Sequence, residues 1–291
     1  MRQLFTVLAL SAAAMILGCR QLPSTGVPIS GQAIRPDLGV DVEVTNWSGG
    51  VSVVADPRYK QPEVRSRIRR LSKDAPKDAG LRNAVLAEAI AGIENGRRVI
   101  RVRTQPAMNV AENQVAMDIE VRVARAQDVR ISSSNGAVNV KGFDGALTIV
   151  NGIEGRPGGR VLVRTQAGVT SPVSISTTSG DVIYKSGPGT KGAFELLATG
   201  GTAQFEAQLG TVTRARPDPS GNRYRAILDG GENPITIRTG KGIARVEIIE
   251  NAGTSGPDHW NGWIEADDEP HWMQVLTGDA QETKTPAPSP K

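Results

Sequence analysis

One pattern recurs along the second half of the chain and limits what it can fold into. A short run of alternating apolar and polar residues meets a Ser/Thr/Asn-Gly corner, and a second short run follows. Val129-Arg130-Ile131 leads through Ser132-Ser133-Ser134-Asn135-Gly136 to Val138-Asn139-Val140. Leu147-Thr148-Ile149 leads to Asn151-Gly152, and Val161 to Thr165 leads to Gly168. Val173 to Thr177 precedes Ser179-Gly180-Asp181 and Val182, while Phe194-Glu195-Leu196 precedes Gly200-Gly201 and Phe205. Ile235 to Thr239 precedes Gly240-Lys241-Gly242 and Val246-Glu247-Ile248. Alternation with period two puts every second side chain on one face of a strand. A unit this small cannot bury that face alone, so units must stack and join their inward Val, Ile and Leu into one column. Glycine permits the tight bends, and the polar corner side chains are placed to ladder from unit to unit. The expected fold is all-β, a solenoid-like (β-helix-like) stack of short strands. Asn-Gly is also a hairpin signal, so a β-sandwich of short hairpins is the alternative.

The first half carries the same alternation with interruptions. Val40, Val42 and Val44 alternate with Asp41, Glu43 and Thr45, residues 46 to 50 form a turn, and Val51 to Val54 form a second strand. Val99 to Val102 is a further strand. Val115 to Val123 places Val115, Met117, Ile119, Val121 and Val123 on one face and Asp118, Glu120 and Arg122 on the other. Residues 62 to 75 are basic and weakly patterned. The run from Arg65 to Arg70 is expected to be a solubilising exposed connection, or else a contact for anionic lipid heads. One inserted amphipathic helix is expected at about 78 to 93. Asp78 would cap it, Leu81, Val85, Leu86, Ala89, Ile90 and Ile93 would share a face, and Asn95-Gly96 would stop it.

The chain opens MRQLFTVLALSAAAMILGCR. Arg2 precedes an uncharged apolar stretch from Leu4 to Leu17, which suits the core of a signal peptide and is short for a spanning helix. Ile16-Leu17-Gly18-Cys19 resembles the bacterial lipobox. That resemblance implies diacylglycerol on Cys19, cleavage before it, and a membrane anchor in its acyl chains. The other reading of Cys19 is a small residue at an ordinary cleavage site. Cys19 is the chain's single cysteine, so no disulfide can form within the chain. Arg20 follows it where an inner-membrane retention signal would have aspartate, which implies the outer membrane, with the periplasmic or surface face open. The expected organisation is a signal peptide over 1–18, a flexible Pro-containing tether over 19–37, and a β-rich repetitive domain over 38–252. A Trp/His-containing segment over 253–278 and a disordered Pro-rich tail over 279–291 follow. Aromatics make up 4% of the chain, against 33 glycines and 18 prolines. That scarcity of large core side chains argues against a typical helical or α/β enzyme. The net charge of +4 is mild and requires no nucleic acid partner.

Asn46-Trp47-Ser48-Gly49-Gly50-Val51-Ser52-Val53, Ile131 to Val140, Ile175 to Val182 and Ile237 to Val246 resemble the recurring motifs of an adhesin family of bacterial exported proteins, a domain of unknown function. The resemblance covers roughly 40–250. It implies a β-helical architecture and carries no agreed catalytic residues. Arg245 departs from the last motif, and the helix expected near 78–93 and the segment 253–276 are additions to the family pattern.

The strongest local anomaly is the stretch with His259, Trp260, Trp263, His271 and Trp272, set among Asp258, Asp267, Asp268 and Glu269. It reads as a cap on the stack end, as a carbohydrate platform of Trp faces and acids, or as a metal site. Two histidines twelve apart fit no familiar metal spacing. Asp181, Glu195 and Glu206 are candidate outward carboxylates for polysaccharide chemistry, with a solvated face as the plainer reading. No catalytic, cofactor-binding or metal residues are expected. The expected function is a non-catalytic lipid-anchored cell-envelope protein, adhesive or structural. Its partners would be the membrane through Cys19 and a cell-surface glycan or another envelope protein. The alternative is a carbohydrate-binding or polysaccharide-active protein using 258–272.

Overall fold

A computed structural model describes residues 25–32, 38–76, 79–107, 109–111, 113–152 and 156–254. The strands run in chain order as β1 (Thr25–Gly26), β2 (Ile29–Gly31), β3 (Val40–Asn46), β4 (Val51–Ala55) and β5 (Glu63–Arg70). A single helical turn, α1 (Ala79–Arg82), precedes β6 (Val85–Glu94), β7 (Arg97–Pro106), β8 (Val115–Val123), β9 (Ala126–Ser133) and β10 (Gly136–Lys141). Then come β11 (Leu147–Asn151), β12 (Gly158–Thr165), β13 (Val173–Thr177) and β14 (Val182–Ser186). The last four are β15 (Gly192–Ala207), β16 (Val212–Pro217), β17 (Arg223–Leu228) and β18 (Pro234–Ile248).

Two parallel ladders share these strands. On the first face the parallel order is β7-β3-β9-β11-β13-β18-β15. On the second it is β8-β4-β10-β12-β14-β18-β15. The long strands β18 and β15 cross from one face to the other, which links all strands into one sheet order. β9 and β10, which flank Ser134-Asn135, pair with rungs above and below and not with each other. The Asn-Gly corners are therefore solenoid corners, and the hairpin-sandwich alternative does not hold.

Apart from shifts between Val40 and Val42 and between Gly136 and Val138, register is continuous along both parallel ladders. Ile100, Val42, Val129, Leu147, Val173, Ile235 and Phe194 form one inward column of the first face. Val121, Val53, Val140, Val163, Tyr184, Val246 and Phe205 form one on the second. The columns meet in a single core. Each buried Val or Ile contributes about 1.5–3 kcal/mol of transfer free energy.

The corners close by polar contacts directed inward. Asn46 Nδ2 donates to the carbonyls of Gly49 (3.0 Å) and Met117 (3.1 Å), and Asn151 Nδ2 to those of Gly136 (2.9 Å) and Gly159 (3.1 Å). Thr177 Oγ1 donates to Gly159 (3.0 Å) and Thr239 Oγ1 to Gly180 (2.8 Å). Beside them runs a column of glycines. A Cβ on Gly136, whose φ is 90°, would lie 2.3 Å from the carbonyl oxygen of Gly49, and one on Gly159 would lie 2.2 Å from that of Gly136.

Rung order departs from chain order at both ends. The β7–β8 rung lies outside β3–β4 although it comes later in sequence, and β18 sits between β13–β14 and β15. Antiparallel strands then extend the stack. β6 and β5 add to β7 and β8 at the first end, and the β17–β16 hairpin adds to β15 at the other.

Three expectations change. The helix over 78–93 shrinks to α1, and Val85–Glu94 is a strand paired with β7. Its alanines satisfy period two as well as period 3.6: Val85, Ala89 and Ala91 face inward, while Leu86 and Ile90 are exposed. Ladder pairing decides between the two patterns. The tether loses residues 25–31, where β1 pairs with β5 and β2 with β6. The basic run from Arg65 to Arg70 is no exposed connection. It lies in β5 along β8, with Arg65 and Arg67 buried.

Candidate functional site

Cys19, His259, Trp260, Trp263, His271 and Trp272 lie outside the described residues, as do Asp78, the tail over 279–291 and nearly all of 253–278. Among the described residues no cluster of metal-ligating side chains occurs, and no helix is long and apolar enough to cross a membrane. The three candidate carboxylates are far apart in role. Asp181 Oδ1 accepts the Ile243 backbone N–H (2.9 Å), Glu195 accepts from Arg223 and Arg225, and Glu206 pairs with Arg245 (3.6 Å). Asp181 closes a corner, and the other two belong to charged outer rows.

The outward surface of the first face changes character along the stack. Near β7 it is an ion-pair ladder. Arg97 bridges Asp41 (2.8 Å) and Asp128 (2.7 Å), and Glu43 accepts from Arg101 (3.0 Å) and Arg130 (3.1 Å). Burial pushes the Glu43 carboxyl up, but hydrogen bonds and charge from Arg101 and Arg130 outweigh it and hold the group below its ordinary value. Asp128 is likewise lowered: burial pushes it up, and Arg97 and the Ala146 N–H outweigh that push. The middle is neutral, with Thr148, Val150, Ser174 and Ser176 in outward register. The far end is basic.

That basic end is built by β-pairing. Register aligns Thr236, Glu195, Arg225 and Arg216 in one outward row, and Arg238, Leu197 and Arg223 in the next. Arg214 stands beside Ile227 in a third. Five arginines therefore share these rows with Glu195, and Asp218 lies beside Arg223 where the hairpin turns. Glu195 is held below its ordinary range by hydrogen bonds from Arg223 (2.5 Å) and Arg225 (3.0 Å). Arg214, Arg216 and Arg238 are exposed. A shallow groove of about 380 Å³ runs between Arg214, Arg216, Arg225 and Glu195 over a floor of Ala193 and Ile227. Such a surface attracts an extended anion through several weak, salt-sensitive contacts. Sequence alone did not single out these arginines, because they lie on three strands separated by as many as 24 residues (Arg214 to Arg238). Their gathering depends on the hairpin and on the insertion of β18.

No family model matches the chain, and no curated protein does. Two solved structures are similar in outline. A "putative cell adhesion protein" from Clostridium sporogenes is 10% identical with a TM-score of 0.41, covering 78% of this chain and 98% of its own. A "putative adhesin" from Bacteroides fragilis is 6% identical with a TM-score of 0.26, covering 79% and 97%. Scores this low establish neither a shared fold nor a shared activity.

Proposed function

We propose that this chain is an exported, lipid-anchored envelope protein whose stack is a non-catalytic scaffold that presents a basic end to an acidic cell-surface polysaccharide. The observation that carries the reading is the polarity of the stack. The N-terminal strands β1 and β2 pair with β5 and β6 at one end. Of the seven exposed large apolar side chains among the described residues, four gather at that end: Leu71, Leu86, Ile90 and Ile93. An acyl group on Cys19 would be tethered six residues before Thr25, within about 20 Å of β1. The arginine rows lie at the other end. From β6 to β17 the ladder has eight strand spacings of about 4.8 Å, roughly 40 Å in all. A membrane-held end and a basic, water-facing end suit a spacer that reaches an anionic glycan.

The test is fractionation of cells carrying the wild type or Cys19→Ala, with protease added to intact cells. Wild type pelleting with the outer membrane and cut from outside is expected, with Cys19→Ala released. An unchanged pellet for Cys19→Ala overturns the anchor. A wild type protected from protease overturns surface presentation and leaves a periplasmic structural role.

A further inference from the structure

We infer that a groove across the corners after β8, β4, β10 and β12 binds a linear acyl chain carrying one carboxylate. The groove encloses about 870 Å³, more than twice the volume of the one between the arginine rows. Ala55, Ala124, Ala126, Gly142 and Ala167 line it, beside Pro57, Tyr59 and Lys60 of the loop after β4 and the Arg125–Asp144 pair (2.6 Å). The four corners stack because their rungs pair. Ala55 is in register with Val123, and Lys141, just before Gly142, is in register with Val54 and Arg164. Gly142 has a φ of 75°, and a Cβ there would lie 2.7 Å from the Ala55 carbonyl oxygen. Close stacking of the corners thus keeps the middle of the groove free of larger side chains.

The lining selects hydrocarbon over sugar or peptide. The corner amides are already engaged: Asp56 N donates to the Val123 carbonyl (2.9 Å), Gly142 N to Arg164 (2.8 Å), Asp144 N to Ala126 (3.1 Å) and Gly145 N to Gln127 (2.8 Å). Thr165 Oγ1 donates to the Phe143 carbonyl (3.2 Å), and Gln166 is held by Glu250 and Gly253. Sugar hydroxyls or a peptide backbone would leave water here and find few free partners. Methylenes gain by the same transfer. The polar groups that do stand free suit one anionic head. Lys60 is exposed and has no ion pair or hydrogen bond among the described residues, and the Tyr59 hydroxyl has no hydrogen bond among them. Burial raises the Tyr59 phenol, with Arg122 working against it, so the hydroxyl keeps its proton and can donate. The nearby carboxylates are matched, Asp144 by Arg125 and Asp56 by Arg58. Four corners span three strand spacings of about 4.8 Å, roughly 14 Å, which suits an extended chain of medium length. These rungs are at the opposite end of the second ladder from β15. Acyl binding here is therefore independent of the arginine rows and of the anchor on Cys19.

The test titrates saturated fatty acids of increasing length, below their micelle concentrations, into the full chain carrying Cys19→Ala, so that no acyl group of its own competes. Dodecanoate is expected to bind, with each methylene added beyond octanoate tightening the affinity by up to about fourfold. Lys60→Glu should weaken dodecanoate by about tenfold and leave dodecyltrimethylammonium, the same chain with a cationic head, unweakened. Ala167→Trp, which fills the groove, should weaken both. No dodecanoate binding, equal affinity for hexanoate and dodecanoate, or an unchanged affinity in Lys60→Glu overturns the proposal. Binding that survives in a folded Ala167→Trp chain places the hydrocarbon elsewhere, such as on the exposed Leu86 and Ile90, and overturns it too. A diazirine-bearing dodecanoate needs no groove variant to fold. Its adducts should map to residues 55–60, 124–126, 142–144 or 165–167, and adducts confined to other residues overturn the groove.

Discussion

Asn151 is buried at a solenoid corner, where its amide holds the carbonyls of Gly136 and Gly159. Replacing it with leucine keeps the volume but removes both bonds, leaving the Gly159 carbonyl to Thr177 Oγ1 and the Gly136 carbonyl without its side-chain donor. Asn151→Leu should therefore cost about 1–3 kcal/mol, read as a lower urea midpoint at unchanged slope. Gly136→Ala tests the neighbouring column. Its Cβ would lie 2.3 Å from the Gly49 oxygen at a positive φ, so it should destabilise by more than the roughly 1 kcal/mol that separates Gly from Ala in ordinary backbone. Thermal melts that leave both variants at the wild-type midpoint would refute the corner account. The sequence makes these positions legible, because Ser/Thr/Asn before glycine recurs wherever a strand must turn. The laddering of polar corner residues from unit to unit is legible too; what the sequence conceals is that Asn46, Asn151, Thr177 and Thr239 are buried as they make it.

At the scale of elements, period two marked the strands well where inward residues are β-branched, as in Val115 to Val123. It failed at β6, where alanine fits either period, and at β5, where alternating arginines look like a solvated run. In β5 the cations are matched instead. Asp118 accepts from Arg69 Nη2 (2.8 Å) and from the Gly50 N–H (2.7 Å), with Arg67 3.8 Å away. The outward row of β8 is therefore charged and largely buried, with Asp118 and Glu120 both buried. Burial raises the Glu120 carboxyl, with Arg122 working against it. On the first face burial likewise raises Asp41, but Glu43 and Asp128 act in the opposite sense. Glu43 and Asp128 have carboxyls below their ordinary values, so their contribution to stability is present above the unfolded-state values near pH 4 and is lost as pH falls through the lower folded ones. Between Glu43→Gln and wild type, the gap in unfolding midpoint should be widest at neutral pH and close below about pH 4. A gap that widens on acidification would contradict the ladder's role.

The whole molecule has two ends, and neither the end-swapped rung order nor the gathering of arginines on β16, β17 and β18 can be read from spacing along the chain. Both arise from how the long strands β15 and β18 are inserted. The basic end predicts a definite salt dependence. A polyanion such as heparin, used as a probe, should bind through Arg214, Arg216 and Arg238, and each lost contact should flatten the plot of log affinity against log salt by about one unit. The triple variant Arg214→Ala, Arg216→Ala, Arg238→Ala should then bind at least tenfold more weakly at low salt. Arg97→Ala should change little, because Arg97 is already held by Asp41 and Asp128. Glu195→Gln should act the other way and strengthen binding severalfold at neutral pH, since it removes the carboxylate that Arg223 and Arg225 both bond. Its effect should vanish only below the ordinary range for glutamate, because Arg223 and Arg225 keep Glu195 ionised to lower pH. If Arg97→Ala weakens binding as much as the triple variant, the attraction belongs to the net charge of the chain and the distal rows are not a site.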